Sequence, residues 1–341
     1  MSQKTKVGVV GIGWWSDVLA DAVVGSDEIE IVAGYSRSVE KTRAFAQKYS
    51  CRAASSLEEM LAMPDLQGVV VTTPNNAHLD VVKLAAAAGK HLFVEKPIAV
   101  SIAEGEEIAE ICRRASVLLS IGHSYRRHTG IRRIKRLIEE GALGRVSYAD
   151  GIFSKGRGLG LVSGGDWRSQ DAVMPGGCLM QIGIHHIDNL IYLLGPVVDV
   201  SAMLARLETR AEIFDIGSVH LRFESGAIGT VTANYISADR FALNVYGTKA
   251  AVRFDLQDGL EWLPAGERAW RRIEVEPNDF LCAEMEEFAV CIREGRRPEV
   301  GGEEGLVPLA VIHAAIRSQT EHRVVALKEI LPSQNARVMA I

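Results

Sequence analysis

The chain of 341 residues has no apolar run that approaches the roughly 20 residues needed to span a bilayer, which argues against a membrane protein. Its five cysteines, Cys51, Cys112, Cys178, Cys282 and Cys291, are odd in number, scattered and free of C-x-x-C pairs. That pattern excludes the disulfide framework of a small secreted domain and points to reduced thiols in the cytoplasm. Neither sign of charge dominates. A formal charge of −5 supplies no general attraction for phosphate backbones or anionic lipid, so neither nucleic acid nor membrane is an expected partner. The start, Lys4 and Lys6 followed by Val7 to Trp15, imitates a signal peptide, but three glycines break the apolar run and no small-residue cleavage site follows. Repeats and low-complexity tracts are also missing. What remains is 48% hydrophobic and 24% charged, ordinary for a folded protein, at a length that predicts two domains.

The first 120 or so residues alternate short apolar runs with amphipathic stretches. Strands are expected at Lys6 to Gly11, Ile29 to Tyr35, Gly68 to Thr72, His91 to Glu95 and Val117 to Gly122. Helices are expected at Ser16 to Val24, Val39 to Lys48, Ser56 to Met63, Asn76 to Ala88 and Ser101 to Ala115. Continuous apolar strands separated by helices describe a parallel sheet covered on both faces, a doubly wound α/β arrangement. Beyond about residue 145 the pattern becomes strand after strand, with Gly144 to Phe153, Ser218 to Phe223, Ala227 to Ile236, Phe241 to Gly247 and Ala251 to Asp255. Helices there are expected over His185 to Leu194 and Cys282 to Arg293. The whole reads as a doubly wound α/β domain over residues 1–124 and a second, α+β domain with a large, mostly antiparallel sheet over 125–341.

Gly11-Ile12-Gly13-Trp14-Trp15-Ser16 follows the first strand directly. Two glycines let the backbone turn tightly and approach a pyrophosphate, and the next helix aims its N-terminal N–H groups at that anion. Ser16 stands where a third glycine is usual. Trp14 and Trp15 either flank the cofactor or pack under the helix. The carboxylate that would bind the ribose of NAD after the second strand is missing. Ser36-Arg37-Ser38 is there instead, a guanidinium between two hydroxyls that suits the 2'-phosphate of NADP; the alternative is a solvent-facing turn with Ser38 as helix cap. NADP is therefore the preferred cofactor, with NAD the alternative. Thr73-Pro74-Asn75-Asn76-Ala77-His78 closes the strand from Gly68, where Asn75 or Asn76 can cap the following helix and the loop can floor the nicotinamide ribose. Glu95-Lys96-Pro97 closes the strand from His91, and an ammonium at that edge can stabilise charge on a substrate oxygen.

These residues resemble the Gfo/Idh/MocA oxidoreductases, the family of glucose-fructose oxidoreductase and inositol dehydrogenase. The likeness rests on Gly11-x-Gly13, Thr73-Pro74-Asn75-x-x-His78, Glu95-Lys96-Pro97, Gly122 with Arg126, Gly176-Gly177 with Gly183-x-His185-x-x-Asp188, and Gly247-Thr248. It implies a Rossmann domain, a second domain whose open sheet often forms a homo-dimer or homo-tetramer interface, and NAD(P)-linked oxidation or reduction of sugars, polyols or dihydrodiols. By that likeness Lys96 holds the reacting hydroxyl and His185 accepts its proton. The resemblance also admits a relative that breaks glycosidic bonds by transient oxidation and elimination, and a non-catalytic dinucleotide sensor. One position departs: many relatives have an aspartate four residues before the histidine, whereas this chain has Gln181. Gln181 can accept a hydrogen bond from His185 but, being neutral, favours imidazolium less.

Tyr125, Arg126, Trp167 and Arg168 are the expected substrate wall, together with Gln181 and His185. Convergence of basic groups would suit a carboxylated, carbohydrate-like substrate. Lys155 and Arg157, in the glycine-dense stretch from Ser154 to Gly165, are candidates for a lid. His185, His186 and Asp188 with Cys178 invite a metal reading, but adjacent histidines point in different directions, so no metal site is expected. Cys178 reads as a small packing residue.

Overall fold

The structure, a computed structural model, describes residues 4–156, 160 and 167–332. The strands are β1 Thr5–Val10, β2 Ile29–Tyr35, β3 Arg52–Ala53, β4 Gly68–Val71, β5 His91–Glu95, β6 Leu119–Gly122, β7 Val146–Ser154, β8 Val197–Ala205, β9 Ile216–Phe223, β10 Ile228–Asn234, β11 Arg240–Gly247, β12 Ala250–Asp255, β13 Gly259–Pro264, β14 Arg271–Ile273 and β15 Val325–Ala326. The α-helices are α1 Trp14–Val23, α2 Val39–Lys48, α3 Leu57–Leu61, α4 His78–Ala87, α5 Ile102–Arg114, α6 Thr129–Glu139, α7 Ile184–Leu194, α8 Phe280–Glu294 and α9 Gly302–Glu321. Two compact units result, Met1–Ser124 with Asp279–Leu306, and Tyr125–Asn278 with Val307–Ile341.

The first unit is a six-stranded parallel sheet in the order β3-β2-β1-β4-β5-β6. Its central strands are buried on both sides, as their unbroken apolar runs require. Local signals start the helices where they stand. Ser101 accepts from the Glu104 N–H (3.3 Å) while the Glu104 carboxylate accepts from the Ser101 N–H (3.1 Å), a reciprocal cap that begins α5. Strand order reverses between β1 and β4, so the carboxyl ends of these two strands flank a crevice. The boundary expected at 124/125 leaves out a return of the chain: Asp279–Leu306 belongs to this unit. The cause is the apolar face of α8, where Met285, Phe288 and Ala289 join Val7, Val9, Val23 and Phe93 in one core. Phe288 meets Phe93 edge to face at 5.8 Å.

The second unit is built on a nine-stranded sheet, β14-β13-β12-β11-β7-β10-β9-β8-β15, with β7 and β10 parallel and every other pairing antiparallel. In β9, Gly217, Val219, Leu221 and Phe223 are buried while His220 and Arg222 face outward, the alternation of a sheet covered on one side. Helix α7 lies on the covered side, close enough that a Cβ on Gly151 of β7 would stand 2.7 Å from the His186 ring. Strands β3, β8, β13, β14 and β15 and helices α6 and α9 go beyond the sequence expectation. Strands β3, β14 and β15 are short edge or near-edge pieces whose pairing is made by backbone groups, which leave little apolar alternation to read.

Candidate active site

Gly11 follows β1 with φ +95°, and a Cβ there would stand 2.5 Å from the Thr73 backbone nitrogen, so only glycine fits. Gly13 is different. Its backbone is extended (φ −166°), and a Cβ built on it meets nothing within 4 Å, so neither conformation nor protein packing demands glycine there. It is the N-cap of α1, at the crevice where the strand order reverses. Ser16, in place of the third glycine, is buried; its hydroxyl donates to the Gly13 carbonyl (2.7 Å) and accepts from the Gly13 N–H (2.9 Å), which pins the turn. Trp15 packs against the unit's core, as one of the two readings has it, while Trp14 is 70% exposed.

The turn after β2 has the capping geometry of the second reading. Ser38 caps α2, accepting from the Lys41 N–H at 3.2 Å, and the Ser36 hydroxyl donates to the Ser38 carbonyl at 3.1 Å. Both hydroxyls are therefore engaged in shaping the loop. Arg37 between them is exposed and has no hydrogen bond or ion pair among the described residues.

Across the crevice, Asn75–Ala77 form a 3-10 turn and Ala77 is the N-cap of α4, so neither asparagine caps that helix. The Thr73 hydroxyl is buried without a partner among the described residues, as a group left for a ligand or water would be. His78, expected to touch cofactor, is buried instead between carbonyls: Nδ1 lies 3.2 Å from the Ile98 oxygen and Nε2 3.2 Å from that of Thr73. Burial pushes its pKa down, against the pull of these carbonyls. It braces the loop from beneath because the polypeptide surrounds it. Glu95 is buried with its carboxylate over Gly122, and it accepts from the Lys96 N–H at 3.1 Å. Burial raises its pKa, opposed by the Lys96 charge and the Trp15 indole. Lys96 follows this strand, half-buried, and is joined to Pro97 by a cis peptide.

In the second unit a π-helical turn, Leu179–Gly183, leads into α7, which carries His185. Gly177 enables this entry: at φ +52°, a Cβ would lie 2.2 Å from the Phe214 carbonyl oxygen. His185 is buried, 4.6 Å from the Tyr125 ring, which stacks on Phe241 at 4.4 Å. Burial pushes the Tyr125 phenol up to about 12, so it stays protonated. His186, the next residue round the helix, stacks on Phe241 at 4.1 Å. Arg126, expected in the substrate wall, is instead forked onto Asp188, with Nε 2.9 Å from Oδ2 and a second bond from Nη2 to Oδ1. Both partners are buried, and a buried guanidinium needs such a carboxylate. The pair anchors the residue next to Tyr125 one helical turn from His185.

Arg168 lies over the Trp167 ring at 4.2 Å. Gln181 accepts a hydrogen bond from the Tyr235 hydroxyl, and the Arg168 charge acts on that same phenol, so Trp167, Arg168, Gln181 and Tyr235 form one neighbourhood. Along the sequence Tyr235, an aromatic at a strand end, reads as core. Cys178 is a packing residue: its thiol donates to the Ala233 carbonyl (3.4 Å), and burial and then the Asp215 charge push its pKa far up. Lys155 pairs with Asp239 at 3.8 Å, and Arg157 lies outside the described residues. Among the described residues no cluster of three or more His, Cys, Asp or Glu is arranged to hold a metal. A cavity of about 530 Å³ on the second unit's sheet, lined by Ile152, Asn244, Arg253 and Glu261 among others, includes none of the candidate residues.

Residues 5–123 match the oxidoreductase family with NAD-binding Rossmann fold, and residues 131–253 match the GFO/IDH/MocA C-terminal domain. The chain belongs to the Gfo/Idh/MocA family. It is an oxidoreductase with an NAD-binding Rossmann unit. Within the family it is 30% identical over 339 residues to the D-xylose 1-dehydrogenase (NADP(+)) of Haloarcula marismortui, covering 94% of this chain and 92% of that one. A Desulfitobacterium hafniense structure assigned to NADPH-dependent oxidoreductases is 36% identical with a TM-score of 0.93, covering 97% of this chain and 100% of that one. The aldose-aldose oxidoreductase of Caulobacter crescentus, solved with glycerol, is 28% identical with a TM-score of 0.87, covering 95% of this chain and 100% of that one. No helix among the described residues is long and apolar enough to cross a membrane.

Proposed function

We propose that this family member oxidises a secondary hydroxyl, or reduces the matching ketone, of a sugar, polyol or dihydrodiol, using NADP in preference to NAD, in the cytoplasm. The observation that carries the reading is Gly13: an extended N-cap at the crevice whose missing side chain is required by nothing in the protein, and so by what the space admits. A dinucleotide pyrophosphate fits there, Arg37 is exposed where a 2'-phosphate would reach, and the Thr73 hydroxyl supplies a further unused polar group. The named relatives, a xylose dehydrogenase and an aldose-aldose oxidoreductase, support the substrate class.

When bound, the nicotinamide accepts or returns the hydride. In this reading Lys96 stabilises developing negative charge on the substrate oxygen, and His185 takes up or returns the hydroxyl proton at a ring nitrogen. Tyr125, held through its neighbour Arg126, keeps the imidazole in place, while Gln181, Trp167 and Arg168 contact the substrate. The free thiols agree with a reducing compartment.

The second unit's outward sheet face is the proposed homo-oligomer interface. Tyr246, Tyr148 and Ile228 stand in one cross-strand row there, and Ile228 is 51% exposed. Dinucleotide reduction followed at 340 nm across a panel of sugars, polyols, dihydrodiols and their acids tests the activity. Turnover with NADP exceeding that with NAD is expected. Release of free sugar without net reduction would establish elimination chemistry instead, and tight dinucleotide binding with no turnover would establish a sensor.

A further inference from the structure

On the sheet face that carries Tyr148 and Tyr246, two cross-strand rows run side by side. One is Ile152, Ala242, Asp255 and Gly259, across β7, β11, β12 and β13; the other is Asn244, Arg253, Glu261 and Arg272, across β11 to β14. Their side chains differ in size. Ala242 and Gly259 leave a hollow that the long side chains around them wall, and this is the cavity of about 530 Å³. A Cβ on Gly259 would already stand 3.2 Å from Arg272 Nη2. The volume lies within the range of roughly 300 to 1,000 Å³ common to small-molecule sites.

The walls are charged but balanced. Three arginines, Arg240, Arg253 and Arg272, line the space with three carboxylates, those of Asp255, Asp258 and Glu261. Arg240 Nη2 lies 3.3 Å from Asp255 Oδ2, and Arg253 Nε donates to Glu261 Oε2 while its guanidinium lies over the Trp270 ring at 4.5 Å. A guanidinium has five N–H donors, so one carboxylate leaves several of them for another oxygen. On the turn between β12 and β13 the Gln257 backbone N–H donates to Asp255 Oδ1 at 2.8 Å, whereas the Gln257 and Asp258 side chains have no hydrogen bond or ion pair among the described residues. A phosphate or an ammonium ion would meet repulsion here as well as attraction. A hydroxyl donates one hydrogen bond and accepts two, so neighbouring hydroxyls can bridge guanidinium and carboxylate and leave the charge balance as it is. The C–H face of a sugar then rests on the cross-strand pair Ile152 and Ala242. We propose that this cavity is a second small-molecule site, for a neutral sugar or polyol, separate from the candidate active site. None of the candidate catalytic or cofactor residues lines it, so the inference stands independently of the reaction proposed above.

Methyl NMR on the full chain tests it, with the Ile152 δ1 methyl, identified by its loss in Ile152→Val, as the reporter. Glucose and sorbitol should shift that signal saturably, whereas inorganic phosphate and glucosamine at the same concentrations should not. Ala242→Leu fills the hollow and should abolish the shift. Asp258→Ala removes one charged acceptor at an exposed turn, where folding is not at stake; it should weaken glucose about tenfold and let phosphate bind. A signal that ignores both neutral probes, or that phosphate shifts as strongly as glucose does in the wild type, would overturn the proposal. A sugar bound only at the candidate active site would keep its wild-type titration in Asp258→Ala and in a folded Ala242→Leu, and that result would overturn it too. If the signal instead moves on dilution of the protein and not with sugar, a second copy fills the cavity and the proposal falls.

Discussion

A Cβ added at position 13 meets no atom of the surrounding protein within 4 Å, whereas one at position 11 meets the Thr73 backbone at a positive φ. Two neighbouring glycines therefore make opposite predictions. Gly13→Val should melt close to wild type and bind NADPH more than about tenfold more weakly, while Gly11→Ala should lose stability itself. Fluorescence titration beside thermal melts checks both; undiminished NADPH binding in Gly13→Val would remove the pyrophosphate from that space. In the proposed reading Arg37 carries the cofactor preference. Losing one charge-assisted contact is worth about 1.5 to 3 kcal/mol, so Arg37→Ala should weaken NADPH by about tenfold or more and leave NADH nearly as it was. Equal losses for the two cofactors would make Arg37 a plain turn residue. Lys96→Ala should lower kcat/KM by about two to three orders of magnitude with cofactor affinity kept, because the lost interaction grows with charge on the substrate oxygen. A variant retaining most of its activity would refute that role.

At the scale of the element, α7 carries two adjacent buried histidines. His186 faces the sheet, its Nε2 3.1 Å from the Ile152 carbonyl and its ring against Phe241. Burial pushes its pKa from 6.5 down to about 3, with the Ile152 carbonyl opposing. The folded state thus holds this proton less well than the unfolded chain. The stability attached to the neutral ring is complete above the unfolded pKa and is lost as pH falls toward the folded one, at about 1.4 kcal/mol for each pH unit. His186→Gln keeps a donor for the Ile152 carbonyl and cannot titrate. Its Tm should be lower at neutral pH, for want of the ring, yet should fall less than wild type between about pH 7 and 4.5. Parallel Tm curves would show that His186 already titrates normally in the fold.

At the scale of the molecule, one face of the second unit's sheet is covered by helices and the other carries exposed side chains among the described residues. Register places Tyr246 beside Tyr148, Tyr148 beside Ile228 and Ile228 beside Arg222, an apolar row that ends in charge. Ile228→Glu puts a carboxylate at the end of that apolar row at a half-exposed position, so the single chain should keep its Tm while the proposed oligomer dissociates. Sedimentation velocity reads the outcome, and an unchanged sedimentation coefficient would place the interface elsewhere or show that the chain is monomeric.

The amino-acid sequence by itself determined the doubly wound sheet, because a parallel strand buried on both faces must be apolar throughout and its crossover helix must be amphipathic; β2, β5 and α2 begin and end where those patterns do. It also determined the turn at Gly11, since a left-handed φ and a close backbone approach leave a mark that one residue type carries. Only the tertiary structure decided the partnerships. Arg126 finds Asp188, Tyr235 finds Gln181, His78 sits between the carbonyls of Thr73 and Ile98, and α8 returns to the first unit's core. Each depends on chain segments brought together by packing. A basic, aromatic or apolar side chain reads the same along the chain whether it is to meet a substrate, a carboxylate or a distant strand, and the burial that separates those fates arises only when the sheets are covered.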